Sequence, residues 1–150
     1  MRQIKNTPNL KKETQIREEL NRLDIIPYIQ EKCVDVQIIY GFGSWFLGEE
    51  NQNSDIDFAI LTKGPIMPMD IWDLQNGLAE QLRRNVDIVS LLTASTVLRL
   101  EVVAHGISLF VEDSNSKDIF ETMVFSSYAR LNEERAGILS DIYERSSVYG

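Results

Sequence analysis

The chain predicts a small α/β (α+β) domain, a mixed sheet of about four strands flanked by helices. Two observations point there. Short β-branched or apolar runs at 34–40, 55–62, 86–91 and 107–111 alternate with stretches of helical period. The 150 residues are also 43% hydrophobic and show no internal repeat or low-complexity tract, so one domain (1–150) with a real core is expected.

Residues 1–10 form a polar lead-in. From Lys11 to Cys33 the spacing of Ile16, Leu20, Leu23 and Ile26 is helical, and Pro27 is expected to break or bend that helix by removing a hydrogen bond. Val34–Tyr40 reads as the first strand, running into the glycine turn Gly41-Phe42-Gly43-Ser44, after which one short helical turn is expected. Asp55–Thr62 is the second strand, stopped by Lys63-Gly64-Pro65. Met69–Arg84 carries Ile71, Leu74, Leu78 and Leu82 on one helical stripe. Val86–Leu91 is a third strand. Thr93–His105 is a helix, with Gly106 where a left-handed C-cap would stand. Ile107–Val111 is the fourth strand, and a long amphipathic helix follows over about 116–145. Core packing is the default role of such a helix, but its Phe125, Tyr128, Tyr143 and Tyr149 exceed what one stripe buries, which points to a partner groove.

The chemistry concentrates in residues 41–61. Strand side chains repeat every two residues, so Asp55 and Asp57 face one way about 7 Å apart while Ile56 and Phe58 face the other. Two carboxylates brought together without a cation cost stability, and a hard divalent ion such as Mg²⁺ removes that cost. Gly43-Ser44 offers backbone N–H groups and a hydroxyl near a short helix N-terminus, where phosphate is favoured. Asp87, between Val86 and Ile88, faces away from its apolar neighbours, and it comes near Asp57 if the second and third strands pair. A phosphate cradle ten residues ahead of a carboxylate pair is the layout for metal-assisted phosphoryl or nucleotidyl transfer.

Other chemistries fall away. The single Cys33 forbids an internal disulfide, and with one histidine, His105, there is no zinc constellation. His105 reads as a helix-end interaction and Cys33 as a small core residue. The glycines complete neither a dinucleotide fingerprint nor a P-loop. The net charge of −8 is uneven: residues 41–113 carry four basic and eleven acidic groups. That disfavours a duplex nucleic acid partner, which calls for a clustered basic footprint. The charged N-terminus and the lack of any long apolar run lead to the expectation of a soluble, cytoplasmic chain.

Gly43-Ser44, ten residues, then Asp55-x-Asp57 resembles the signature of the DNA polymerase β-like nucleotidyltransferases. With Val86-Asp87-Ile88-Val89 as a second, looser piece, the chain looks like their minimal (MNT) branch, in particular the MntA-like antitoxins paired with HEPN-domain toxins. The resemblance implies a polymerase β-like palm fold with two Mg²⁺ ions. Asp55 and Asp57 would ligate both, and Asp87 would complete the catalytic one and help take the acceptor's proton. Gly43 and Ser44 would hold the terminal phosphates of ATP. It also implies transfer of AMP to a tyrosine hydroxyl of a cognate HEPN ribonuclease toxin, which silences it. The chain departs from the family at Phe46-Leu47, where members often carry a small and then a basic residue. Lys63, Arg83 and Arg84 are the candidate substitutes for that cation, and Trp45 and Phe46 are candidates to stack on a base, pack in the core or meet a partner. Two further functions stay open: an antitoxin acting by binding and occlusion alone, and a small-molecule nucleotidyltransferase of the aminoglycoside-modifying type.

Overall fold

The computed structural model describes residues 6–48 and 55–149, with side chains described within 13–48 and 55–145. The elements run α1 (Asn6–Arg22), α2 (Ile25–Lys32), β1 (Val36–Phe42), α3 (Gly43–Leu47), β2 (Ile56–Thr62), α4 (Pro68–Leu82), β3 (Val86–Ser90), α5 (Thr96–His105), β4 (Ile107–Val111) and α6 (Ser114–Tyr149). The sheet has the order β3-β2-β1-β4. β1 is antiparallel to β2 and β4, and α4 carries the chain back so that β3 lies parallel to β2.

Helices cover both faces of the sheet, which is why its central strands are nearly continuous apolar runs. On one face Ile39, Phe58, Ile60 and Ile88 pack with Leu20, Ile29 and Leu78 from α1, α2 and α4. On the other, Ile38, Tyr40, Ala59 and Leu61 meet Val102, Phe120 and Val124 from α5 and α6. Within this second layer the Tyr40 hydroxyl donates to Glu121 Oε2 at 2.8 Å, and Lys117 lies 3.6 Å from the same carboxylate. That bond satisfies a phenol held at 1% exposure. Side chains also reach both sheet edges. Gln75 Oε1 accepts the N–H of Ile88 on β3 at 2.8 Å, and Arg17 Nη2 donates to the Ser108 carbonyl on β4 at 2.7 Å.

Several expectations shift. The first helix begins at Asn6, inside the expected lead-in, and residues 1–5 lie outside the described ones. Its break falls at Leu23–Asp24, where Asp24 takes a left-handed conformation (φ 53°). Pro27 does not cause it: the ring sits in the first turn of α2, where its missing N–H costs nothing. α5 starts at Thr96 because Ser95 caps it, its hydroxyl accepting the Leu98 N–H at 3.1 Å. Gly106 is no left-handed cap. Its backbone is extended (φ −76°, ψ 166°), and a Cβ there would collide with the Val102 carbonyl and come within 3.0 Å of the Gly41 carbonyl. Glycine stands there because two backbones meet. The terminal helix spans 114–149 instead of about 116–145. Its outer half leaves Ile138, Leu139, Ile142 and Tyr143 between 55% and 77% exposed. Phe125 is exposed as well and Tyr128 half-buried, while the Tyr149 side chain lies outside the described ones. Among the described residues, no helix is long and apolar enough to cross a membrane.

Candidate active site at the β2–β3 end of the sheet

Pairing of β2 with β3 decides whether the expected carboxylates meet. The register sets Asp57 opposite Asp87 and Ile56 opposite Val86. Adjacent strands lie about 4.8 Å apart, and partners in register turn to the same face, so Asp57 and Asp87 stand side by side. Asp55, one step before β2, completes the group. The Ile56 N–H donates to the Asn85 carbonyl at 2.9 Å, which ties the segment bearing Asp55 and Asp57 to the one bearing Asp87. Sequence reasoning missed Asn85, since a backbone acceptor leaves no trace in residue type.

Ile56 and Phe58 are buried at 1% and 0% exposure, anchoring β2 from the opposite face. Asp55 and Asp87 are exposed and Asp57 half-buried. The Asp57 carboxyl is pushed up from 3.8 to about 6, first by burial, then by the negative charges of Asp87 and Asp55. The group is a concentration of hard oxygen donors with unrelieved repulsion, which is the chemistry a small divalent cation accepts. Among the described residues no three acidic, imidazole or thiol groups stand in ligating geometry around one point. The register nonetheless sets Asp57 and Asp87 on one face, and Asp55 is near enough for its charge to act on Asp57. Two of the three are exposed side chains, for which rotation between staggered wells is cheap.

Gly43 faces this cluster from β1's end. Phe42, the register partner of Asp57, caps α3 in extended conformation. Gly43 then turns to φ +80°, and a Cβ on it would strike Asp57 Oδ2 and lie 3.2 Å from Cγ. Gly43 is therefore required twice, by its dihedral and by the carboxylate against its Cα. Ser44 follows in the first turn of α3, half-buried. Gly48 ends that helix at φ +77°.

The aromatic pair after the turn belongs to the core. Trp45 and Phe46 are 8% and 3% exposed and pack edge to face at 4.9 Å, and Phe46 continues to Phe58 at 5.6 Å. A buried ring offers no face to a base. Of the cations considered for the position of Leu47, Lys63 lies past the other end of β2 and pairs with Glu112 at 3.3 Å. Arg83 is an exposed left-handed C-cap of α4. Arg84 shares a cleft of about 280 Å³ with Trp45, Ile56 and Glu19, beside α3 but on the sheet face away from the aspartates. His105 ends α5, and Cys33 caps α2 from the core, as their sequence context indicated.

Such an arrangement, three carboxylates on adjoining strands with a glycine turn against them, is that of a nucleotidyltransferase of the polymerase β type. The chain belongs to that family: residues 24–115 match the one described as "Polymerase beta, Nucleotidyltransferase". It is similar to the protein adenylyltransferase MntA of Shewanella oneidensis, 35% identical over 131 residues, 87% of this chain and 94% of MntA. Among solved structures it resembles a toxin–antitoxin crystallised with AMP-PNP (36% identity, TM-score 0.72, 79% of this chain and 94% of that one). Another match is an MNT antitoxin in complex with the tri-AMPylated HEPN toxin of Shewanella oneidensis (34% identity, TM-score 0.69, covering 83% and 97%).

Proposed function

We propose that this protein is an antitoxin that works as a protein adenylyltransferase. It transfers AMP from ATP to a tyrosine hydroxyl of a cognate HEPN ribonuclease toxin and so neutralises it. The observation that carries this is the Asp55–Asp57–Asp87 cluster with Gly43 against Asp57, in a chain similar to a protein adenylyltransferase and to an antitoxin solved with an AMPylated toxin.

Asp55 and Asp57 would hold Mg²⁺, two ions in all, with Asp87 completing the second set. Bound there, Mg²⁺ neutralises phosphate charge and lowers the pKa of the attacking hydroxyl. The chain's residues divide the remaining work. Gly43 and Ser44, with no side chain beyond a hydroxyl, let the triphosphate approach the backbone at the start of α3. Asp87, exposed at the edge, receives the proton of the acceptor hydroxyl. The hydroxyl oxygen attacks the α-phosphorus, its bond to the α,β-bridging oxygen breaks, and pyrophosphate leaves. The partner protein brings the acceptor hydroxyl. The setting is the cytoplasm, where ATP and the toxin's RNA substrate are found together.

The test is the intact mass of the toxin co-expressed with the wild-type chain or with Asp55→Asn/Asp57→Asn. A gain of whole adenylyl groups confined to the wild type is the expected result. A stable complex without mass change would move the function to occlusion, and transfer by the double variant would sink the mechanism.

A further inference from the structure

We propose that Gln75 is a positioning residue for Asp87, acting through the backbone of β3; the role rests on the transfer reaction proposed above and deepens it. Among the described residues β3 is an edge strand of five residues, and β2 is its neighbour in the sheet. In a parallel pair, alternate N–H groups point away from the partner strand, and at Ile88 that outward N–H meets Gln75 Oε1 at 2.8 Å. The peptide that carries it joins Asp87 to Ile88. Gln75 therefore fixes the peptide plane directly after the Asp87 Cα, while the register with β2 holds the other side. Asp87 itself is exposed, so its carboxylate can turn and packing does not place it, and the backbone beneath it sets where its Cα–Cβ bond points. Gln75 is a firm anchor, since Leu74 and Leu78 beside it are buried at 5% and 0% exposure. With Ile88 also at 5%, no water readily replaces the glutamine. The sequence gives a glutamine on α4, thirteen residues from the strand it serves, which nothing but the fold connects to the site.

The experiment compares Gln75→Met, of similar length without an acceptor, with Gln75→Glu, which keeps an oxygen at the same reach. Three readouts are taken on the full chain: amide exchange of Ile88, Mn²⁺ titration of the nucleotide-free protein followed by electron paramagnetic resonance, and AMP-transfer kinetics on the toxin. In the Met variant we expect the Ile88 amide to exchange faster, with Mn²⁺ half-saturation and kcat each worsened by about tenfold and KM for ATP within about twofold. The Glu variant restores all three. Unchanged exchange, or faster exchange with Mn²⁺ binding and kcat within about twofold of wild type, overturns the role. Should Met prevent folding, Gln75→Asn, one methylene short, is held to the same comparison. A wild type that binds Mn²⁺ but transfers no AMP overturns the proposed function, while the Mn²⁺ comparison still decides the role of Gln75.

Discussion

The Cα of Gly43 lies against the carboxylate of Asp57, with no room between them for a methyl group. The turn that ends β1 and the acid that opens β2 are thus one unit. Replacing Gly43 with alanine displaces Asp57 and strains a φ of +80°, at about 1 kcal/mol for the backbone alone. AMP transfer to the toxin, followed by intact mass, should fall by about a hundredfold or more, because a shift of about 1 Å in a reacting group is enough. A Gly43→Ala chain with wild-type transfer would show that this contact is not part of the machinery.

Asp57 makes stability depend on pH in an inverted sense. Its carboxyl is raised in the fold to about 6 from 3.8, so the neutral acid is the form the fold favours. Its contribution is present below about pH 4 and is lost as pH rises through 6. In EDTA at pH 7.5, Asp57→Asn should be more stable by about 1 kcal/mol, a figure reduced for the screening a half-exposed group receives. The gain should vanish near pH 3.5. Urea titrations at the two pH values check it, and a variant less stable than wild type at pH 7.5 would contradict it.

Trp45 and Phe46 should behave as core. Phe46→Ala removes a ring seated over Gly41 and against Phe58, at about 3 kcal/mol or more. Trp45→Phe should leave KM for ATP within about twofold, since a buried indole cannot stack on adenine. Thermal melts and initial rates separate the two effects. A large rise in KM from Trp45→Phe would return the indole to the nucleotide.

Cys33 should be inert. Its thiol is pushed up to about 11, by burial first and then by Asp35, so at pH 8 almost none is thiolate. A disulfide reagent should label the native chain far more slowly than the urea-unfolded one, and fast native labelling would be inconsistent with this packing.

Most of the site was legible because its logic is local. The two-residue period of a strand fixes the shared face of Asp55 and Asp57, and Gly43-Ser44 lies ten residues before them. Asp87 needed the β2–β3 pairing: β-branched Val86, Ile88 and Val89 marked a strand, but its neighbour stayed a condition until the register supplied it. What escaped depends on long-range geometry. Nothing in the residues flanking Gly106 says that the Gly41 carbonyl is its neighbour. Asp24 outcompeted Pro27 as the helix break because short polar side chains tolerate left-handed backbone, whereas proline is comfortable in a first turn. Trp45 was ambiguous between solvent and core because a five-residue helix is too short to reveal a face.

Arg17 and Gln75 each occupy a backbone hydrogen-bonding position on one margin of the sheet, at Ser108 and at Ile88. An intruding strand would have to displace an arginine on one side or a glutamine on the other before it could zip on. Such plugs guard against strand-by-strand polymerisation, the hazard of every open sheet. They also narrow the vocabulary of recognition: at Ser108 and at Ile88 the edge backbone already has a partner, so a visitor meets side chains there first.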